Sequence, residues 1–151
     1  MAFASLKFYS EALKMQCEIS VIIPQKSAAG EIGVTSGVGG EGKYKCLYLL
    51  HGLSDDHTIW ARRTSIERYA QEYGIVVVMP CAARSFYTNM KYGGAYYDYI
   101  AKEVPRIVRE FLNKHHLIEM PEEWNQLTMD HHVHDANTNG RKSATHLIMD
   151  A

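Results

Sequence analysis

Two short apolar runs on either side of one helical period constrain this chain more than any other feature. Lys45-Cys-Leu-Tyr-Leu-Leu50 and Ile75-Val-Val-Val-Met79 are apolar at nearly every position. Strands of that kind are covered on both faces and sit in the centre of a parallel sheet. Between them Ile66, Tyr69, Ala70 and Tyr73 recur at helical spacing, and Gly74 stands where a helix can end in the left-handed conformation. Strand, helix, strand is a βαβ unit. The chain is therefore expected to be α/β, with 45–50 and 75–79 parallel and adjacent or nearly so, joined by the helix around 64–73.

Upstream, Met15-Gln-Cys-Glu-Ile-Ser-Val-Ile-Ile23 begins in strict alternation and stops at Pro24, the pattern of a half-buried strand. Leu6 to Tyr9 is expected to pair with it through a turn at Ser10 to Leu13, as an antiparallel hairpin. Downstream, Tyr96 to Leu112 reads as a helix with Ile100, Val104, Ile107 and Phe111 on one face and Lys102, Arg106 and Arg109 on a solvated one. Pro105 lies inside it, so a kink or a start is expected there. Ser27 to Gly42 reads as a long loop. From Glu119 to Ala151 periodicity fades, with only Thr145-His-Leu-Ile-Met149 resembling a strand. The division expected is 1–114 as the folded part and 115–151 as a divergent, poorly packed tail.

Composition narrows the class. A chain of 151 residues, 46% hydrophobic and 22% charged, suits a single globular domain. A net charge of −1 supplies no field to draw in nucleic acid or an anionic membrane, so neither partner is expected. No apolar run nears the roughly 18 residues of a membrane span. Met1-Ala-Phe-Ala-Ser-Leu-Lys7 lacks the basic-then-apolar order of a secretory leader, which gives a cytoplasmic expectation. Cys17, Cys46 and Cys81 are odd in number and show no metal spacing. Cys17 and Cys46, in strand-like runs, are expected to be small buried hydrophobes.

Several stretches carry residue types used in chemistry. Gly37-Val-Gly-Gly-Glu-Gly-Lys43 imitates a phosphate-binding loop, but Tyr44 stands where a Ser or Thr must bind magnesium, and the glycines precede a strand instead of following one. His131, His132, His134 and Asp135 are metal-type residues without the spacing of a closed zinc site. No metal or cofactor is expected. Tyr92, Tyr96, Tyr97 and Tyr99 are read as packing residues before pocket-lining ones, and His57 as an exposed loop residue, with lining of an acyl pocket as the lesser alternative. His51-Gly52-Leu53 differs from these: it ends a buried strand in a sharp turn. Gly52 permits the turn, and the amide of Leu53 is left at the carboxyl edge of the sheet, where it could stabilise an oxyanion.

Leu47-Tyr-Leu-Leu-His-Gly-Leu-Ser-Asp-Asp-His-Thr-Ile-Trp60, with Arg62-Arg-Thr-Ser-Ile-Glu-Arg-Tyr69, Val76-Val-Val-Met-Pro80 and Tyr87-Thr-Asn-Met-Lys-Tyr92, resembles the esterase D family. That family includes tributyrin-type carboxylesterases, the nearer branch, and S-formylglutathione hydrolases. The resemblance runs from about Phe8 to Leu112. It implies a partial α/β-hydrolase fold: an N-terminal antiparallel hairpin, then parallel βαβ units, with the sheet incomplete. It also implies hydrolysis of short-chain acyl esters by a Ser-His-Asp triad, with no cofactor, and an oxyanion hole to which Leu53 gives its backbone N–H, supported by His51 and Gly52.

The departures are equally specific. The family sets a Gly-x-Ser-x-Gly elbow after the helix that ends here near Leu112, and no such pentapeptide occurs in these 151 residues. Gly52-Leu-Ser-Asp-Asp56 comes nearest, but Asp56 is too large for the position, and Ser54 reads as a turn-capping residue. The triad acid and histidine are missing too. The expectation is a truncated carboxylesterase, inactive alone, that would take a small acyl ester once paired with a missing C-terminal half. The alternative is a non-catalytic remnant serving as a binding or assembly module, whose open sheet edge favours self-association.

Overall fold

The computed structural model describes residues 1–25 and 44–114. The expected loop at 27–42, the tail from 115 and the histidines at 131–134 lie outside the described residues. Four strands form one mixed sheet: β1 (Ala2–Ser10), β2 (Met15–Ile23), β3 (Lys45–Tyr48) and β4 (Ile75–Pro80), in the spatial order β1-β2-β4-β3. β1 and β2 are antiparallel, with Ala2 opposite Ile23 and Ser10 opposite Met15. β2 and β4 are also antiparallel, with Ile19 opposite Pro80. β3 and β4 are parallel and adjacent, with Lys45 opposite Ile75 and Tyr48 opposite Val78. The expected hairpin and βαβ unit thus share one sheet, and its parallel portion among the described residues is a single pair.

Burial follows from that order. β4 has neighbours on both sides, and Val76 to Met79 are fully enclosed, each side chain contributing about 1.5–3 kcal/mol of transfer free energy. β2 does not alternate in burial: Met15 and Gln16 are exposed, and Cys17 and Glu18 are half-buried. Val21, Ile22 and Ile23 are all buried, and so is Ser20, because the strand passes from the hairpin into the interior against β4. Alternation signalled a half-buried strand, whereas burial rises along it from an exposed start to an enclosed end.

The crossover from β3 to β4 holds two helices, α1 (Ile59–Arg63) and α2 (Ile66–Tyr73). Periodicity showed only the second. Gly74 ends α2 at φ 63 and its N–H bonds the Ala70 carbonyl, the left-handed cap expected of it. Ile66 and Ala70 face Ile22, Val77 and Met79 on one side of the sheet. Tyr69 and Tyr73 are exposed, so the buried stripe is narrower than the spacing suggested. Gln71 is buried instead. Its side-chain amide donates to the Gln25 carbonyl at 2.6 Å and accepts the Gln25 N–H at 3.0 Å, fixing the chain just past β2.

The other face is covered by a long helix in three parts: α3 (Tyr96–Asp98), a π-helical segment (Tyr99–Glu103) and α4 (Val104–Lys114). The Val104 N–H reaches back five residues to the Tyr99 carbonyl. Pro105 explains the wide turn, since it has no N–H for the Ala101 carbonyl and its ring would crowd that oxygen in a regular helix. A π turn takes up an extra residue and rotates the rest of the helix about its axis. The buried stripe runs Ile100, Val104, Val108, Leu112, with the expected Ile107 and Phe111 half-buried at its margin.

The rotation also brings Glu103 inside. Its carboxylate accepts from the Ser10 hydroxyl, from the Glu11 N–H at 2.7 Å and from the Ala12 N–H at 3.4 Å, pinning the β1–β2 turn to the helix. Lys102 and Arg106 stay in solvent, each in an i,i+4 ion pair, with Asp98 and with Glu110. Arg109 is half-buried, contrary to its expected place on the solvated face.

Candidate functional site

The carboxyl ends of β3 and β4 open on the same edge, where open α/β sheets bind ligands. β3 leads into Leu49, Leu50 and His51, all buried, and then into a turn over Gly52 to Asp55 closed by the Asp55 N–H on the Gly52 carbonyl at 3.1 Å. Gly52 does not have a positive φ. Its missing side chain makes room instead: a Cβ there would stand 2.9 Å from Oδ2 of Asp55. Leu53 is the first residue inside the turn and is exposed. Among the described residues its N–H has no hydrogen-bond acceptor.

His51 ties the two strand ends together. Nε2 accepts the Ala82 N–H at 2.9 Å, and Nδ1 bonds the Gly52 carbonyl at 2.6 Å. An acceptor at Nε2 puts the proton on Nδ1, so this geometry holds a neutral ring of one tautomer. The Tyr87 hydroxyl donates to the His51 carbonyl, and the two rings lie 5.9 Å apart. Trp60, on α1, donates from its indole nitrogen to the Leu50 carbonyl at 2.8 Å. The turn after β3 is therefore held from three directions.

The segment after β4 completes the edge. Ala83, Phe86 and Tyr87 all have positive φ (46, 52 and 58), a conformation that costs a non-glycine residue about 1–2 kcal/mol. Ser85 supports it: its side-chain oxygen accepts the Tyr87 N–H at 3.1 Å, and its carbonyl accepts from the Thr88 N–H and hydroxyl. Strain concentrated beside a cleft and tied down by buried side chains is a mark of functional segments.

A cavity of about 260 Å³ opens at this edge, between the hairpin, the loop after β3 and the loop after β4. Cys17, Glu18, Asp56, His57, Cys81 and Tyr96 are among its walls. His57 is not the exposed loop residue expected. Its side chain is 14% exposed and shares a 2.8 Å hydrogen bond, through Nδ1, with the hydroxyl of Ser20. Nε2 lies 4.0 Å from Glu18. This Ser-His-Glu grouping is not a hydrolytic triad, because Ser20 is buried in β2 beyond reach of a substrate.

Asp56 accepts the Thr58 N–H at 2.8 Å together with the Thr58 hydroxyl, which hold its carboxyl below the usual range. Of the tyrosines, Tyr96 faces the cavity, Tyr99 is fully buried and Tyr92 is 91% exposed. Cys46 is buried as expected, while Cys17 is only partly so. Ser20, Cys81 and Tyr87 were not singled out from sequence as parts of this edge. Apart from the Pro80 that ends β4, no local signal marks them. Among the described residues no group of three or more metal-type side chains could hold an ion, and no helix is long and apolar enough to cross a membrane.

Comparison with known proteins agrees with the architecture. An acetyl esterase of Caldicellulosiruptor saccharolyticus is 27% identical over 110 residues, which are 72% of this chain and 40% of that protein. The fluorophosphonate-binding serine hydrolase F of Staphylococcus aureus, solved with substrate bound, is 36% identical with a TM-score of 0.58, over 80% of this chain and 43% of its own. An S-formylglutathione hydrolase from the same organism, solved as the apoenzyme, is 38% identical with a TM-score of 0.52, over 75% and 41%. No family model matches the chain. The fold is thus an α/β-hydrolase fold in part. Within that class the chain resembles the N-terminal half of the esterase D-like esterases and S-formylglutathione hydrolases. It spans about two fifths of the length of each of these three proteins.

Proposed function

We propose that this chain carries the oxyanion-binding portion of a serine carboxylesterase acting on short-chain acyl esters. When a nucleophile attacks the ester carbonyl, negative charge gathers on the carbonyl oxygen, and a fixed N–H aimed at it lowers the barrier. Leu53 is the donor in this reading, with His51 and Gly52 holding its turn. The observation that carries it is the Leu53 N–H itself, without an acceptor among the described residues, in a turn closed by a different amide. These 151 residues contain no Gly-x-Ser-x-Gly, so in this reading they do not themselves supply the attacking serine and by themselves lack turnover.

The isolated chain should neither hydrolyse p-nitrophenyl butyrate nor be labelled by a fluorophosphonate. Co-expression with the C-terminal part of a related esterase should restore hydrolysis. Exchanging the Leu53 amide for an ester, which removes only the N–H, should then lower kcat by about 10²–10³. Labelling of any serine in the isolated chain, Ser54 included, overturns the proposal, as does restored activity indifferent to the amide exchange.

A second reading, that the chain is an assembly module, is favoured by the outer edge of β3, where no strand pairs among the described residues. An open edge recruits another strand. Sedimentation of the chain across a concentration series should then show reversible association, and a monomer at every concentration removes this reading.

A further inference from the structure

The direction of the Leu53 N–H is set from the far side of its own peptide. No peptide bond among the described residues is cis, so this N–H points opposite to the Gly52 carbonyl. Whatever grips that carbonyl aims the N–H. Two donors grip it: Nδ1 of His51 at 2.6 Å and the Asp55 N–H at 3.1 Å. The shorter bond is the ring's. A carbonyl cannot donate, so Nδ1 carries a proton, whereas Nε2 accepts the Ala82 N–H at 2.9 Å and carries none. Both ring nitrogens are thus spent on backbone groups, and the residue is only 3% exposed. The ring is out of reach of a substrate.

We propose that His51 is a positioning residue for the oxyanion donor. Through the Gly52–Leu53 peptide its imidazole both aims the Leu53 N–H and strengthens it, with the Ala82 amide as the first link of a relay. This rests on the reading of Leu53 as that donor.

The bonds run head to tail. The Ala82 N–H donates to the ring, the ring donates to the Gly52 carbonyl, and the peptide passes the polarisation on to its own N–H. Hydrogen bonds in series polarise one another, by roughly 10–30% per bond in an enclosed setting. A donor on the carbonyl side of a peptide draws electron density from the N–H on the other side, which then binds an anion more strongly. Tyr87 and Trp60 act differently. They donate to the His51 and Leu50 carbonyls, so they steady the backbone before the turn without touching the donor's own peptide. A ring that served only to fill space would need neither bond, and substitutions that keep one nitrogen at a time separate the two roles. His51→Asn leaves an amide N–H near the place of Nδ1, and His51→Gln leaves an amide near the place of Nε2.

Nitrogen NMR of the full, unsubstituted chain at mildly alkaline pH should show the His51 ring protonated at Nδ1 alone. A scalar coupling across the hydrogen bond should join Nε2 to the Ala82 amide nitrogen. His51→Gln should move the Gly52 carbonyl carbon and the Leu53 amide proton upfield, and His51→Asn should restore most of both shifts. In the enzyme completed by the C-terminal part of a related esterase, His51→Gln should lower kcat by about tenfold with KM little changed. His51→Asn should recover most of that loss. A ring protonated at Nε2 overturns the proposal, and this result depends on no variant folding. A Leu53 amide indifferent to His51→Gln overturns it too, as do equal losses from the two substitutions or a loss confined to KM. Should the Leu53 ester exchange leave activity unchanged, the esterase reading fails, while the ring and shift measurements still decide the relay.

Discussion

At the residue scale, the site is a set of short loops held by side-chain hydrogen bonds, and the sequence revealed only part of it. The turn at His51-Gly52-Leu53 was legible because a buried strand ends there in a glycine. What His51 does was not, since its ring bonds Ala82, thirty-one positions on. Gly52 was legible for the wrong reason. Its freedom of φ is unused, and the room it leaves for Asp55 is what matters. His57 was expected in solvent because its neighbours are aspartates, yet Ser20 reaches it from a strand whose pattern gave no such sign. Asp56 allows a test of these loop bonds by titration. Thr58 lowers its folded pKa beneath the ordinary 3.8, with the nearby His57 and Arg62 adding less. The stabilisation is therefore present above that value and is lost as pH falls through the folded pKa. Replacing it by Asn should cost roughly 0.5 kcal/mol near neutral pH, the scale of an exposed pair. The difference from the parent chain in urea melts should shrink as pH falls below 3.8 and vanish once the carboxyl is protonated in the folded chain. A difference that persists there means the charge is irrelevant.

Elements were legible where one period ran through them. β4, the parallel β3–β4 pair, α2 and its Gly74 cap all follow from apolar runs and helical spacing. The long helix was legible in extent but not in phase. Its pattern was read with one constant turn, and the π segment before Pro105 broke that constancy. Glu103 is the energetic counterpart of the shift. In a regular helix it would stand elsewhere on the surface, whereas here it accepts three donors from the hairpin turn. Glu103→Ala strands those donors in a partly buried setting and should destabilise the chain by about 2–4 kcal/mol in urea melts. Glu103→Gln, which keeps one acceptor oxygen, should cost less. Equal losses from the two would mean that packing, and not the carboxylate, holds the hairpin.

For the whole molecule, the α/β class and the resemblance were legible because they rest on many weak signals in the right order. The place of β2 was not. Hairpin and crossover unit were each readable as local objects, but nothing in either says that β2 will lie against β4. That contact decides how both core faces are shared. The strand order β1-β2-β4-β3 has a consequence in time as well as in space. On a ribosome β2 and β3 both emerge before β4, and each lacks its inner neighbour until residues 75–80 have been made. The hairpin can close within microseconds, but two apolar strands then wait, for seconds at ordinary elongation rates, for one later strand to slot between them. During that interval the nascent chain has two sticky borders instead of one, and the arrival of β4 seals both at once.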